Sequence, residues 1–332
     1  MGWKGTLNSI AAAQRQAERE ALKRQRELER QRKQLARMRE LERATYEVQV
    51  YENYIDVLTS IHKDCGEAWD WEAIQSATPP IKPTKSDVNE RMARSNLEAY
   101  RPGLVNKILK RVETKRNELV AAIEDGKRRD ERLYQEALRE YGQNYADWKA
   151  TRELAARILA GDTDAYIDAI RQADPFSEMS QLGSSIVFKT DDYNLIETTM
   201  HVNSVDVIPT ETKTLLKSGK LSVKKMSKTR FFELYQDYVC GAVLRVAREL
   251  FALLPIEMVI ITAVGDILNT KTGHMEEQPI LSVAIPRETL NKLNFAKLDP
   301  SDSMDNFLHN MKFLKTKGFQ AVERIVPTDL GT

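Results

Sequence analysis

Residue types that support metal-dependent hydrolysis occur close together in the C-terminal half of the sequence. Glu211 and Lys213 are separated by one residue, and Asp191 and Asp192 precede them by about twenty residues. Two carboxylates can hold Mg²⁺ through their oxygens, and a nearby Lys can orient the attacking water or stabilise developing charge. Asp192, Glu211 and Lys213 are therefore candidate catalytic residues. A polar strand end followed by a turn would also account for them, without any chemistry.

The order of these residues resembles that of restriction-endonuclease-like nucleases. In that family a carboxylate and a Glu-x-Lys pair follow neighbouring strands, and a helix then packs on the sheet. The resemblance extends over residues 184–285. It implies a Mg²⁺-dependent nuclease, in a bacterial genome-defence system, whose helical half positions the domain on nucleic acid.

A run of basic residues follows Glu211. Residues 212–232 contain seven Lys or Arg and no acidic residue. Such a patch can contact phosphates, but no aromatic residues are interleaved, so base stacking is not indicated. Lysines that protect an exposed loop and edge strand explain the same pattern. The candidate nucleic-acid or anion-binding residues are Lys213, Lys217, Lys220, Lys224, Lys225, Lys228 and Arg230.

Histidine and cysteine chemistry is sparse. The chain has 4 His and 2 Cys, too few cysteines for a disulfide scaffold. His62 and Cys65 are three residues apart on a predicted helix and could supply two metal ligands. Two ligands do not make a site, and the sequence predicts no resident metal or cofactor apart from the Mg²⁺ that a nuclease would need.

The elements that position these residues begin with a long helix. Residues 6–65 contain no Gly or Pro and are rich in good helix formers. Ala21, Leu28 and Leu35 are seven residues apart, a thin heptad seam that predicts a partly coiled-coil arm. Over residues 46–61 the apolar positions widen into an amphipathic stripe.

Two further regions come after the predicted arm. We expect the stripe at 46–61 to pack against the helix in 102–160 as a helical hairpin. From residue 184 the periodicity changes to short strands, with a largely apolar helix at 229–254 and a last helix at 302–314. The predicted fold is α+β, with an arm (1–65), a helical hairpin partner region (66–183) and an α+β domain (184–332).

The formal net charge of +1 hides an uneven distribution. Residues 1–44 carry 12 basic and 6 acidic side chains, residues 45–183 carry 20 and 25, and residues 184–332 carry 18 of each. Such asymmetry bears on partners and not on the fold. The arm is therefore expected to mediate self-association or to bind another protein, and nucleic acid is a further candidate partner.

Composition excludes several classes of protein. A hydrophobic fraction of 42% supports a packed core, and no apolar run is long enough for a transmembrane segment. The sequence predicts a cytoplasmic, bacterial-style protein without enzymatic activity. In this interpretation the arm assembles the protein and the α+β domain is a binding module, and the Mg²⁺-dependent nuclease is the alternative.

Overall fold

The computed structural model describes residues 40–102, 111–177, 179, 185–202, 207–268 and 272–331. The helices are α1 (Glu40–Ser60), α2 (Trp71–Ser76), α3 (Val88–Ala99), α4 (Val112–Leu159), α5 (Thr163–Ala173), α6 (Lys228–Leu253) and α7 (Arg287–Asn291). The strands are β1 (Ser185–Asp192), β2 (Leu195–His201), β3 (Glu211–Leu215), β4 (Leu221–Lys225), β5 (Met258–Leu268), β6 (Met275–Pro286), β7 (Leu308–Met311), β8 (Phe313–Leu314) and β9 (Gly318–Phe319). The predicted α+β class is confirmed.

The described chain divides into two compact units. A helical unit comprises residues 72–102 and 111–155, and an α+β unit comprises residues 40–71 and the described residues after 155. This grouping differs from the sequence-based division because α1 belongs to the same unit as the C-terminal sheet. The predicted coiled-coil arm falls mostly on residues 1–39, which lie outside the described residues.

In the helical unit, a carboxylate of α4 caps the start of α3. Asp130 accepts hydrogen bonds from the backbone N–H groups of Asn89, at 3.2 Å, and Glu90, at 2.9 Å. The first N–H groups of a helix have no partner within the helix, and this carboxylate supplies an acceptor for two of them. Gly126 permits the close approach, since a Cβ there would lie 2.9 Å from the Asn89 carbonyl oxygen.

The proline-containing segment before α3 lies along the surface of α4. The indole N–H of Trp148 donates to the Ala77 carbonyl at 3.0 Å, and Lys85 pairs with Glu131. Seventeen helical residues span about 25 Å, which matches eight extended residues at about 3.1 Å each. An extended segment therefore runs antiparallel to α4 between these two contacts.

The α+β unit is built on a five-stranded sheet of order β1-β2-β5-β6-β7. β2 and β5 are parallel, and the other neighbouring pairs are antiparallel. α6 packs on β5, while Ile325 of the C-terminal segment packs against Ile260 and Ala284. Consecutive residues of β5 are buried, which explains its uninterrupted apolar sequence.

The apolar stripe of α1 packs on α6 and on the β3–β4 hairpin. The helical-hairpin prediction had assigned it another partner, the helix that begins after Pro102. Gly241 of α6 gives the physical reason, because a Cβ there would lie 2.9 Å from Cγ2 of Ile61. α6 and the turn after α1 thus approach more closely than a larger residue would allow.

The predicted helix at 302–314 is wrong. A short 3₁₀ turn, Asp302–Asn306, leads into β7, which extends the sheet beside β6. The Asp299 carboxylate accepts from the backbone N–H of Ser301 at 2.9 Å and of Asp302 at 3.1 Å. The polar residues that suggested a helix cap therefore close a turn, and pairing with β6 makes the next residues a strand.

Candidate binding surface

The predicted catalytic residues lie on two different sheets. Asp191 and Asp192 end β1, at the edge of the five-stranded sheet, whereas Glu211 and Lys213 lie on β3 of the two-stranded sheet. The resemblance to restriction-endonuclease-like nucleases implies that strands of one sheet carry these residues. The observed topology does not have that arrangement.

Local contacts already engage two of these side chains. Asp192 Oδ1 accepts from the backbone N–H of Asn194 at 2.8 Å, and Lys213 Nζ lies 3.1 Å from Glu47 Oε2 of α1. Glu211 is exposed at the start of β3. Within the described ranges, no three His, Cys, Asp or Glu side chains are arranged to hold a metal ion.

The β3–β4 hairpin carries most of the predicted basic residues. Its strands pair antiparallel from Glu211 opposite Lys225 to Leu215 opposite Leu221. The turn is closed by the N–H of Leu216 donating to the Lys220 carbonyl at 2.9 Å. Gly219 supplies the left-handed conformation, φ +77°, that such a turn requires.

Contacts with α1 hold this hairpin in place. The Lys213–Glu47 pair joins β3 to α1, and the Tyr54 hydroxyl donates to the Val207 carbonyl at 2.6 Å just before β3. At the turn, a Cβ on Gly219 would lie 3.4 Å from Cδ2 of Leu41, in the first turn of α1. The helix therefore supports the hairpin along its length.

The seven basic residues do not share one role. Lys213 is half-buried between β3 and α1, where Glu47 compensates its charge. The others are exposed: Lys217 and Lys220 in the turn, Lys224 and Lys225 on β4, and Lys228 and Arg230 at the start of α6. The exposed positive charge is therefore concentrated at the turn and along β4.

Exposed apolar residues accompany these lysines, and the sequence did not reveal them. Leu215 is 41% exposed and Leu216 is 50% exposed, both at the turn, and Val223 on β4 is 43% exposed. Leu41 beside the turn is 55% exposed. The only sequence signal was a pair of leucines directly before a lysine, a pattern that a buried strand end shares.

A second polar cluster lies where α6 meets the loop after α7. Burial, and then the nearby charge of Asp299, raise the pKa of Asp237 to about 6, while hydrogen bonding with Ser301 opposes the shift. Two carboxylates near one another cannot both ionise without cost. This pair has no third ligand among the described residues, so it does not form a metal site.

The two residues considered as metal ligands have structural surroundings. His62 is buried on the 3₁₀ turn after α1, and this burial, then the charges of Lys63 and Arg248, lower its pKa. Burial and the charge of Glu249 raise the pKa of Cys65 to about 11. A neutral thiol and a neutral imidazole in these positions fit packing between α1 and α6.

A polar cluster that the sequence did not predict lies across the five-stranded sheet. The ring of His201 on β2 hydrogen-bonds Glu277 on β6. Nearby in the same strand, the Thr199 hydroxyl accepts from the Arg324 guanidinium at 3.1 Å. These residues are far apart in the sequence, so only the fold brings them together.

None of the protein-family models, curated proteins or solved structures with which the chain was compared matches it. Of the described surfaces, the β3–β4 hairpin with the start of α1 combines exposed charge, exposed apolar side chains and a supported backbone. None of the helices that the structure describes has the length and apolar composition required to cross a bilayer.

Proposed function

We propose that this chain is an assembly protein that acts by binding and not by catalysis. Residues 1–39 associate with a second copy of the chain, and the α+β unit serves as the binding module. The supporting observation is the packing of α1, in which Ala44 and Val48 are buried whereas Leu41 is exposed. The exposed part of the Leu41 side chain is thus accessible to a partner, and residues 1–39 come directly before this first turn in the sequence.

The sequence of this segment supports association between copies. Ala21, Leu28 and Leu35 keep heptad spacing, the pattern by which two helices bury a common seam. The segment is basic, and residues 45–183 carry an excess of acidic side chains. Opposite charges on neighbouring copies would favour association and would make it weaker at high salt.

The test measures molar mass by light scattering over a micromolar concentration range. The wild-type chain is expected to be oligomeric, and Leu28→Asp with Leu35→Asp is expected to be monomeric because both charges fall on the seam. Leu22→Asp, an apolar residue off the seam, is the matched control and should stay oligomeric. A monomeric wild type, or a seam variant with unchanged mass, would refute the proposal.

The same preparation tests the nuclease alternative. If the chain cleaves plasmid DNA in the presence of Mg²⁺, and if Glu211→Ala abolishes that cleavage, then nuclease activity and not assembly is the main function. The structure offers no observation that favours this outcome, because Glu211 and Asp192 lie on different sheets.

A further inference from the structure

The turn of the β3–β4 hairpin exposes aliphatic side chains that have no structural need to be exposed. The hairpin turn, residues 215–221 together with Leu41, presents three large aliphatic side chains, each at least 41% exposed: Leu215, Leu216 and Leu41. Single exposed leucines are common, but a local group of them at a hairpin turn indicates a contact surface. The surface is already formed, since α1 supports the strands behind it.

Lysines occur at the turn and farther along the hairpin. Lys217 and Lys220 belong to the turn itself, and Lys224 and Lys225 lie at the far end of β4, opposite Thr212 and Glu211. No ion pair joins any of these four lysines to another described residue, whereas Lys213, opposite Val223 in the hairpin, is compensated by Glu47. No acidic residue occurs between Glu211 and Glu233, so the hairpin itself places no carboxylate beside Lys217 and Lys220.

We infer that the hairpin turn binds the surface of an anionic lipid membrane. The lysines would contact lipid phosphate and carboxylate groups, and the leucines would enter the boundary between headgroups and acyl chains. Anionic leaflets attract Lys and Arg near the surface, and apolar side chains add affinity when they leave water at that boundary. The contact is peripheral, and neither component requires the protein to refold.

The leucines distinguish a lipid surface from nucleic acid. Lysines alone would suit either, because both present phosphate groups. Stacking on bases requires aromatic or planar side chains, and the hairpin turn contains none. Leu215 and Leu216 gain no free energy against a hydrated phosphate backbone, but they do gain it in an apolar boundary layer.

This inference is independent of the proposed assembly, although the two can reinforce each other. Several copies that present the same turn to one membrane would bind with higher avidity than one copy. Light scattering on each hairpin variant measures assembly separately. Loss of membrane binding with unchanged mass therefore concerns the hairpin turn, and loss of oligomers alone concerns residues 1–39.

The experiment measures flotation of the full chain with vesicles of phosphatidylcholine alone or with added phosphatidylserine. Binding is expected only with phosphatidylserine. Lys217→Gln with Lys220→Gln should weaken it by about 25-fold, from about fivefold for each lysine at an anionic surface. Leu215→Ser with Leu216→Ser should weaken it by about tenfold or more, since two half-exposed leucines lose their apolar contact.

The control is Leu308→Ser, which removes an exposed leucine, 53%, on β7. It should bind vesicles as the wild type does, and circular dichroism of each variant confirms that the fold is retained. Equal binding by the leucine variant and the wild type would overturn the inference. If the chain binds duplex DNA, and if the lysine variant loses this binding while the leucine variant keeps it, the surface is instead assigned to nucleic acid.

Discussion

Replacing Asp237 by Asn should stabilise the protein at neutral pH. Burial, and then the charge of Asp299, raise the pKa of Asp237 from 3.8 to about 6. The ionised carboxylate is thus held at a cost in the folded state, and Asn removes that charge while it keeps a side chain of nearly the same size and shape. Asp and Asn have similar helix propensities. The difference in unfolding free energy between the variant and the wild type therefore reports the electrostatic cost of the buried charge.

The size of this effect comes from the pKa shift. A pKa shift of about two units corresponds to about 3 kcal/mol of unfolding free energy for a carboxyl group that is fully shielded from solvent. Asp237 is half-buried, so solvent screening reduces the expected gain to about 1–2 kcal/mol. A raised carboxyl pKa means that the folded state binds more protons than the unfolded state between pH 3.8 and about 6. Stability from this group therefore falls as pH rises through that window and is constant above it.

Urea unfolding of the wild type and Asp237→Asn across this pH range provides the measurement. The difference in unfolding free energy should be near zero below about pH 4 and should reach its full value above about pH 6. Asp305→Asn is the control, because that side chain is 87% exposed and should change stability by less than about 0.5 kcal/mol. A gain that does not vary with pH would refute the electrostatic explanation.

Two further substitutions test the packing of the α+β unit by urea unfolding. Trp71→Phe should lower the free energy of unfolding by about 1–2 kcal/mol, because the indole N–H donates to the buried Leu253 carbonyl at 2.6 Å. An unchanged free energy of unfolding would mean that this hydrogen bond adds nothing to stability. Gly318→Ala should cost about 2 kcal/mol or more, because φ is +76° and a Cβ would lie 2.7 Å from the Phe232 ring. Gly331→Ala, with φ +66° and no atom within 4 Å, isolates the backbone strain, and an equal cost at both glycines would argue against the clash.

The α+β core was predictable because its signals are local. The apolar run at 256–264 became β5, and the helix at 229–254 became α6 with bounds shifted by one residue. A helix that is apolar over most of its circumference, next to an uninterrupted apolar strand, allows few arrangements other than helix on sheet. The described residues of the polar connection at 265–279, which are 265–268 and 275–279, extend the β5–β6 pair.

The partner of α1 was not predictable, since periodicity shows that a face is buried but not what covers it. The stripe at 46–61 would fit any apolar surface of similar width. A glycine inside a helix is the one local sign of a close approach, and Gly241 in α6 is such a residue. It indicates that some element comes near, without identifying the turn at Ile61 that does.

The candidate site was only partly predictable for the same reason. The charge of the 212–232 segment is visible in the sequence, because charge needs no partner to be counted. The exposure of Leu215 and Leu216 is not visible, since it depends on where a strand ends relative to α1. The pairing of Lys213 with Glu47 likewise depends on the fold, and it removes one lysine from the basic surface.

The near-neutral net charge is a poor guide to the charge that a partner would meet. Leu41 adjoins Gly219, so the first turn of α1 lies beside the hairpin turn that carries Lys217 and Lys220. The acidic excess lies in residues 45–183, which contribute most of α1 but no part of the turn. An anionic membrane at the turn would therefore encounter a positive surface, although the chain as a whole is almost neutral.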